Sequence, residues 1–391
     1  MDTPPFSISP APRIVFGENK VDDFGGLVTE LAGPDAALLI VADPGIPDIT
    51  QRIVKGLKGS GAKIALYDDI RSDPMSRQVD GAAEAARRHG ATCVIGVGGG
   101  SALDTAKFAA AIAPGRNPAE HYALAANPLP KQPLIKICIP TTAGTGSETT
   151  RVSVFSTREG IKLWAWGDAL RADLALLDPT LTVGLPPGLT AATGIDALVH
   201  AIEACTIKRA NPLNDAVCYH AIRLVVRHLK QAVEQPGDLK ARGAMQIAAA
   251  AAGIGIDNAG TGIGHAIGHA LGTVARVHHG RAVGLALRAA LAWNAEETPA
   301  RHAAVSAAMG ISTGGRRTSA VAAELGEAYD RFVRDVGLEV SLKQDGLAVQ
   351  DLDRLVETTL APENKPMRDA NCREPTPADL RRICHDILTA A

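Results

Sequence analysis

The 391-residue chain is 46% hydrophobic and 21% charged with a formal net charge of −2, an ordinary globular balance in a chain long enough for two domains. That charge excludes a bulk electrostatic attraction to nucleic acid or a membrane surface, and 3% aromatics excludes a stacking platform for single-stranded nucleic acid. No apolar run is long enough to span a bilayer, "MDTPPFSISP" lacks the regions of a secretion signal, and the scattered Cys93, Cys138, Cys205, Cys218, Cys372 and Cys384 form no CxxC pair, so reduced thiols and a cytoplasmic location are expected.

The first half of the chain alternates between two patterns. "ALLIVAD" (Ala37–Asp43) is a continuous apolar run ending in an acid, as a buried parallel strand would be. "KIALYDD" (Lys63–Asp69) predicts a second strand. Gly81–Gly90 is helical in composition and stops at a glycine. "TCVIGVGGGS" (Thr92–Ser101) is a third strand running into glycines, and "ALDTAKFAAAIA" (Ala102–Ala113) a strong helix. "LIKICIPTT" (Leu134–Thr142) and "ADLALLDP" (Ala172–Pro179) read as further strands. Strand–helix–strand order implies a Rossmann-like, doubly wound, mostly parallel sheet with helices on both faces. At "TVGLPPGLT" (Thr182–Thr190) the prolines Pro186 and Pro187 break regular structure, and beyond them the chain is Ala/Leu-rich with helical spacing. The expected division is an α/β domain over residues 1–186 and an all-helical domain over 187–391.

Two glycine-bearing loops follow predicted strands. In "GGGSALDTAK", Gly98, Gly99 and Gly100 let the backbone turn tightly and bring its N–H groups close to an anion. The start of the following helix adds partial positive charge, so a phosphate or pyrophosphate fits there. The stretch matches neither GxGxxG nor a P-loop, and a plain strand-to-helix turn accounts for glycines equally well. "IPTTAGTGSE" (Ile139–Glu148) then offers the hydroxyls of Thr141, Thr142, Thr145 and Ser147. Two such loops at the carboxyl ends of parallel strands face one crevice, where open α/β sheets bind ligands. Asp43, closing its strand, could hold the ribose hydroxyls of an adenosine and repel a 2′-phosphate. Taken alone, it is more simply a turn aspartate before Pro44 and Gly45.

In the second half, "TGIDALVHAIEA" sets Asp196 and His200 four residues apart, on one helix face. A helix-neighbour hydrogen bond is the plainer account of that pair alone. "GIGHAIGHALGTVARVHHG" adds His265, His269, His278 and His279. One carboxylate and three imidazoles would complete a shell for a divalent transition ion such as iron or zinc.

Together "GGGSALDTAK", "PTTAGTGSE", "DPTLTVGLPPGLTAATGIDALVHAIEA" and "AIGHALG…HHG" resemble the iron-containing, or group III, alcohol dehydrogenase family, and "RIVFGENKVDDFG" looks like that family's first strand and turn. The resemblance runs from about Arg13 to "NCREPT". It implies NAD in the α/β domain and a divalent ion, iron(II) before zinc, in the helical one. By position, it implies Asp196, His200, His265 and His279 as metal ligands and His269 as a substrate-side proton carrier. It implies Gly98, Gly99, Gly100, Ser101, Asp104, Thr141, Thr142, Thr145, Ser147 and Lys162 at the cofactor, and strengthens the NAD-selective reading of Asp43. The implied activity is hydride transfer between nicotinamide and a small alcohol or carbonyl whose oxygen the ion polarises, in a homodimer or larger homo-oligomer.

Four departures leave the substrate open. Arg151 stands where small or amide residues are common; it could meet an anionic substrate, such as 4-hydroxybutyrate or a phosphonate aldehyde, or form a salt bridge within the protein. Ile256 and Asp257 replace a frequent aromatic–small pair in the pocket. His278 replaces a common proline. Trp164 and Trp166 are read as core packing. The competing functions are a lyase related to dehydroquinate synthase, against which "GTGSE" and the HxxxH spacing argue, and a non-enzymatic NAD sensor.

Overall fold

The computed structural model describes residues 5–390. They pack as two compact units: Pro10–Leu185, and a unit that begins at Pro186 and takes in the N-terminal residues up to Ser9. The strands are β1 (Arg13–Phe16), β2 (Ala37–Ala42), β3 (Lys63–Tyr67), β4 (Cys93–Gly98), β5 (Ile135–Pro140), β6 (Val152–Ser156), β7 (Lys162–Trp166) and β8 (Leu174–Leu177). All lie in the first unit. Six form one sheet in the order β1-β8-β5-β4-β2-β3, with every neighbouring pair parallel.

Side chains of the central strands alternate between two cores. Leu39, Val41 and Val94 face a layer that includes Val79, Ala83 and Phe108 from helices Ser76–His89 and Gly100–Ile112. Leu38, Ile40, Ile95 and Val97 face Val28 and Ile53 from helices Gly25–Ala32 and Pro47–Gly56. Burial on both faces is why these strands read as continuous apolar runs. The chain steps from β2 outward to β3, then crosses back to β4 on the other side of β2. The topological switch therefore lies between β2 and β4, which is where an open α/β sheet binds its ligand.

β6 and β7 form a separate antiparallel hairpin that the strand patterns above do not predict. The helix expected over Gly81–Gly90 begins earlier, at Ser76, and ends as read, with Gly90 at φ 65°. Asp43 lies just past the end of β2.

Among its described residues, the regular elements of the second unit are all helices. Its centre is the Pro187–Thr206 helix, buried at nearly every position from Thr190 on. Pro187 occupies the first helical position, where the missing N–H has no intrahelical partner to lose. The helices Pro212–Glu234, Leu239–Ala259 and His279–Glu297 pack around it. Among the described residues, no helix is long and apolar enough to cross a membrane.

Candidate functional site

The helical unit brings Asp196, His200, His265 and His279 together. One ligand atom from each lies within 4.8 Å of all the others. Asp196 Oδ1 is central, 3.7 Å from His200 Nε2, 4.0 Å from His265 Nε2 and 3.7 Å from His279 Nε2. Donors bound at about 2.1 Å around a tetrahedral ion stand about 3.4 Å apart, so a small contraction would close this set on an ion. Asp196 Oδ1 and His265 Nε2 are both buried without a hydrogen-bond partner. Such orphaned atoms are costly to bury, and a cation would satisfy both at once. The residues therefore fit a divalent ion.

Each of the four residues owes its place to local structure. Asp196 and His200 are one turn apart on the Pro187–Thr206 helix. His265 sits in the first turn of the Ile263–Ala275 helix, its ring stacked 4.6 Å from that of His200. His279 is the first residue of the His279–Glu297 helix. Gly280 lets that helix approach: a Cβ there would stand 2.3 Å from the Ala192 carbonyl oxygen and 3.1 Å from Asp196 Cβ. His278, exposed and outside the set of four, occupies the preceding capping position. His269 stands beside the cluster, its ring 5.5 Å from that of His279 and 6.3 Å from that of His265. Ile256 is half-buried near the end of the Leu239–Ala259 helix.

Sequence reasoning missed Glu203. Its Oε2 lies 2.6 Å from His265 Nδ1, and its Oε1 accepts a 2.7 Å hydrogen bond from the Gly264 N–H. Burial alone would push this carboxyl up; His265 and the backbone N–H groups of Gly262 and Gly264 hold it below the ordinary value. The available signal was its position, one turn after His200 on the same helix.

In the α/β unit the two glycine loops touch each other. Gly98 has φ 145°, and a Cβ there would meet Ala102 Cβ at 2.8 Å and Asp43 Cβ at 3.1 Å. A Cβ on Gly100 would meet Thr145 Cγ2 at 2.7 Å. Gly98 accepts a hydrogen bond from the Thr141 N–H, and the Asp43 N–H donates to Val97, so the ends of β2, β4 and β5 are tied together. Asp43, Gly99, Gly100, Ser101, Thr142 and Thr145 keep partial exposure along this edge, and Thr141 is buried behind them. Asp43 also caps its own turn, accepting from the Gly45 N–H at 2.8 Å.

Three residues expected at the cofactor make contacts within the protein. Ser147 Oγ donates to Asp104 Oδ1 at 2.5 Å, while Asp104 Oδ2 accepts from the Val154 N–H. Lys107, fully buried, donates to the carbonyls of Ser147, Thr150 and Val152 and stands 3.3 Å from Asp104. Asp104 and Ser147 thus clamp the second loop to the helix that follows the first. Lys162 Nζ is 2.7 Å from Asp73 Oδ1. Arg151 pairs with Asp168 at 2.8 Å and lies 5.0 Å over the Trp166 ring. The salt-bridge alternative for Arg151 is thereby present, and Trp166, half-exposed, is a stacking partner rather than core.

Glu148, in the same loop, is buried; desolvation pushes its carboxyl up to about 7, against the pull of Lys107 and with a smaller push from Asp104. A raised folded value favours the protonated acid, so its stabilisation is complete below about pH 4.5 and lost as pH rises through 7. Glu148→Gln removes that titration. Its stability relative to the parent should rise by roughly 3 kcal/mol between about pH 4.5 and pH 8.5. Thermal melts at the two pH values check this, and an unchanged difference contradicts it.

Residues 11–179 match the model of the iron-containing alcohol dehydrogenase family, and residues 190–388 that of its C-terminal region. The chain is 33% identical to a sulfoacetaldehyde reductase of Bilophila wadsworthia over 89% of its length and 91% of the relative's. It is 35% identical to long-chain-alcohol dehydrogenase 1 of Geobacillus thermodenitrificans over 88% of each chain. It is similar to the crystal structure of a sulfoacetaldehyde reductase from Bifidobacterium kashiwanohense in complex with NAD+, with a TM-score of 0.87, 28% identity and 99% of each chain covered.

Proposed function

The chain belongs to the iron-containing alcohol dehydrogenase family, and from that premise we propose that it interconverts a small alcohol and its carbonyl compound with NAD(H) and a divalent ion. The observation that carries this reading is the convergence of Asp196, His200, His265 and His279, with two orphaned ligand atoms among them. In this reading the Pro10–Leu185 unit binds the dinucleotide, and the helical unit from Pro186 on holds the metal and substrate.

When bound, the ion, iron(II) before zinc, supplies Lewis acidity to the substrate oxygen, and the nicotinamide gives or takes the hydride. The chain's residues do the rest. The Asp196 carboxylate offsets part of the ion's charge, while three neutral imidazoles leave the site net positive, which favours a developing alkoxide. His269 carries the proton between the substrate hydroxyl and solvent. Gly98, Gly99, Gly100 and Ser101 hold the pyrophosphate at the start of the Gly100–Ile112 helix, with Thr141, Thr142 and Thr145 alongside. Asp43 receives ribose hydroxyls and disfavours a 2′-phosphate. Asp104, Ser147 and Lys162 act by fixing the loops and the hairpin.

An NADH-linked screen of alcohols, hydroxyacids and aldehydes on iron- and zinc-loaded protein tests the reading. Many turnovers of net NADH formation or consumption are expected, abolished by a chelator. Binding of NAD without net turnover on the whole panel would instead favour a lyase or a sensor. Similarity to two sulfoacetaldehyde reductases favours a second reading, an anionic aldehyde as substrate. Arg151, already paired with Asp168 and stacked on Trp166, is then not the anion's partner. Arg151→Ala should change KM for anionic and neutral aldehydes by the same factor in this screen; a rise confined to the anions would return Arg151 to the substrate.

A further inference from the structure

The Glu203 carboxylate lies between the backbone at the start of the Ile263–Ala275 helix and one nitrogen of the His265 ring. Gly264 presents a backbone N–H to Oε1 at 2.7 Å, and His265 presents Nδ1 to Oε2 at 2.6 Å. We infer that Glu203 is a positioning residue for the metal centre: it holds the His265 proton on Nδ1 and so turns the unprotonated Nε2 toward the ion. The inference rests on the reading that the four-residue cluster holds a divalent ion.

The chemistry requires a carboxylate at this place. A backbone N–H can only donate, and a His265 ring that ligates through Nε2 must carry its proton on Nδ1 and donate as well. Only a group that accepts at both ends satisfies the pair, and an ionised carboxylate does so. A glutamine has one acceptor and one donor end. If its oxygen takes the Gly264 N–H, its NH2 faces His265 Nδ1 and drives the proton to Nε2, blocking ligation. If its oxygen takes His265, its NH2 opposes the Gly264 N–H.

The glycines of "GIGH" record the same contact. A Cβ on Gly264 would stand 2.8 Å from Glu203 Oε1, and one on Gly262 would stand 3.1 Å from it and 2.8 Å from Asn371 Oδ1. Asn371 accepts from the Ile263 N–H at 3.3 Å and donates to Asn294 Oδ1 at 2.8 Å. The start of the Ile263–Ala275 helix is thus held by two side chains. One of them comes from the helix that carries Asp196 and His200, so Glu203 ties that helix to the one that carries His265. Outer partners of this kind set metal affinity by about 10–100-fold.

The test measures binding of Co2+ and Zn2+ by competition with a chromophoric chelator, with the visible spectrum of the Co2+ form as a second signal. Glu203→Gln should weaken both ions 10–100-fold and alter the Co2+ spectrum, while the far- and near-UV circular dichroism of the metal-free protein, which reports the packing of both units, matches the parent. Equal Co2+ affinity and an unchanged spectrum in a variant with the parent's circular dichroism overturn the inference. A parent protein that retains no ion overturns both the inference and the reading beneath it, whereas loss of the ion in His265→Ala with full retention in Glu203→Gln overturns the inference alone. Should Glu203→Gln not fold, the 15N shifts of His265 in the metal-free parent decide, at a pH where the ring is neutral. A proton on Nδ1 supports the assignment, and a proton on Nε2 overturns it.

Discussion

Asp196→Ala should give a folded protein that retains almost no divalent ion and turns over about 10³-fold more slowly, since the Lewis acid is worth several kcal/mol in the transition state. Asp196 is the only anionic member of the cluster, and its Oδ1 stands 3.7 to 4.0 Å from all three imidazole Nε2 atoms. Removing it leaves three neutral nitrogens and no charge to offset the ion. The variant also separates a metal role from a structural one. In the metal-free protein, the buried and unpartnered Asp196 Oδ1 is a burden of about 1–3 kcal/mol. Alanine removes that burden, so the metal-free variant should melt no lower than the metal-free parent. Added Zn2+ should then raise the melting temperature of the parent alone, because only a state that binds the ion gains from it. Element analysis, kcat/KM and melts with and without Zn2+ check the three parts. Full metal content in the variant would show that Asp196 is not a ligand.

Much of this was legible in the sequence, for a physical reason. β2 and β4 are buried on both faces, so their apolar runs are unbroken and could not be mistaken; β5 reads the same way apart from Lys136. Asp196 and His200, proposed as ligands, share a helix turn, a relation that spacing alone expresses. What escaped was set by partners distant in the chain. Glu203 acquires its role from His265, 62 positions away, and Lys107 from carbonyls 40 to 45 positions away. The local spacing, Glu203 a turn after His200 and Lys107 a turn after Asp104, does not name those distant partners. The β6–β7 hairpin escaped because its strands are short and irregularly buried; Trp166 could not be placed until Arg151 lay over it. The resemblance implies a cofactor role for Lys162; its ion pair with Asp73 is a further tertiary contact that no sequence pattern expresses.

Gly98→Ala should cost the protein its dinucleotide while sparing the ion. Gly98 ends β4 at φ 145°, a conformation that costs an L side chain about 1–3 kcal/mol. The added Cβ would also press on Ala102 at 2.8 Å and on Asp43 at 3.1 Å. Neither contact is the far end of a flexible side chain; both are Cβ atoms fixed to the backbone, so relief requires the strand end or the helix start to move. Overpacking of that kind adds about 1–3 kcal/mol. The displaced elements are the ones that present Asp43 and the Gly99–Ser101 N–H groups, and a loss of about 3 kcal/mol there weakens NAD(H) roughly 10²-fold. The four residues proposed to hold the ion all belong to the other unit, so ion content and Co2+ affinity should match the parent. Gly26→Ala is the control: that glycine has open space around its Cβ direction and sits in the Gly25–Ala32 helix, where alanine is the better helix former by up to about 1 kcal/mol. Fluorescence titration with NADH checks the pair. Parent-like affinity in Gly98→Ala would mean that the β4 loop is a plain strand-to-helix turn, the alternative its sequence left open.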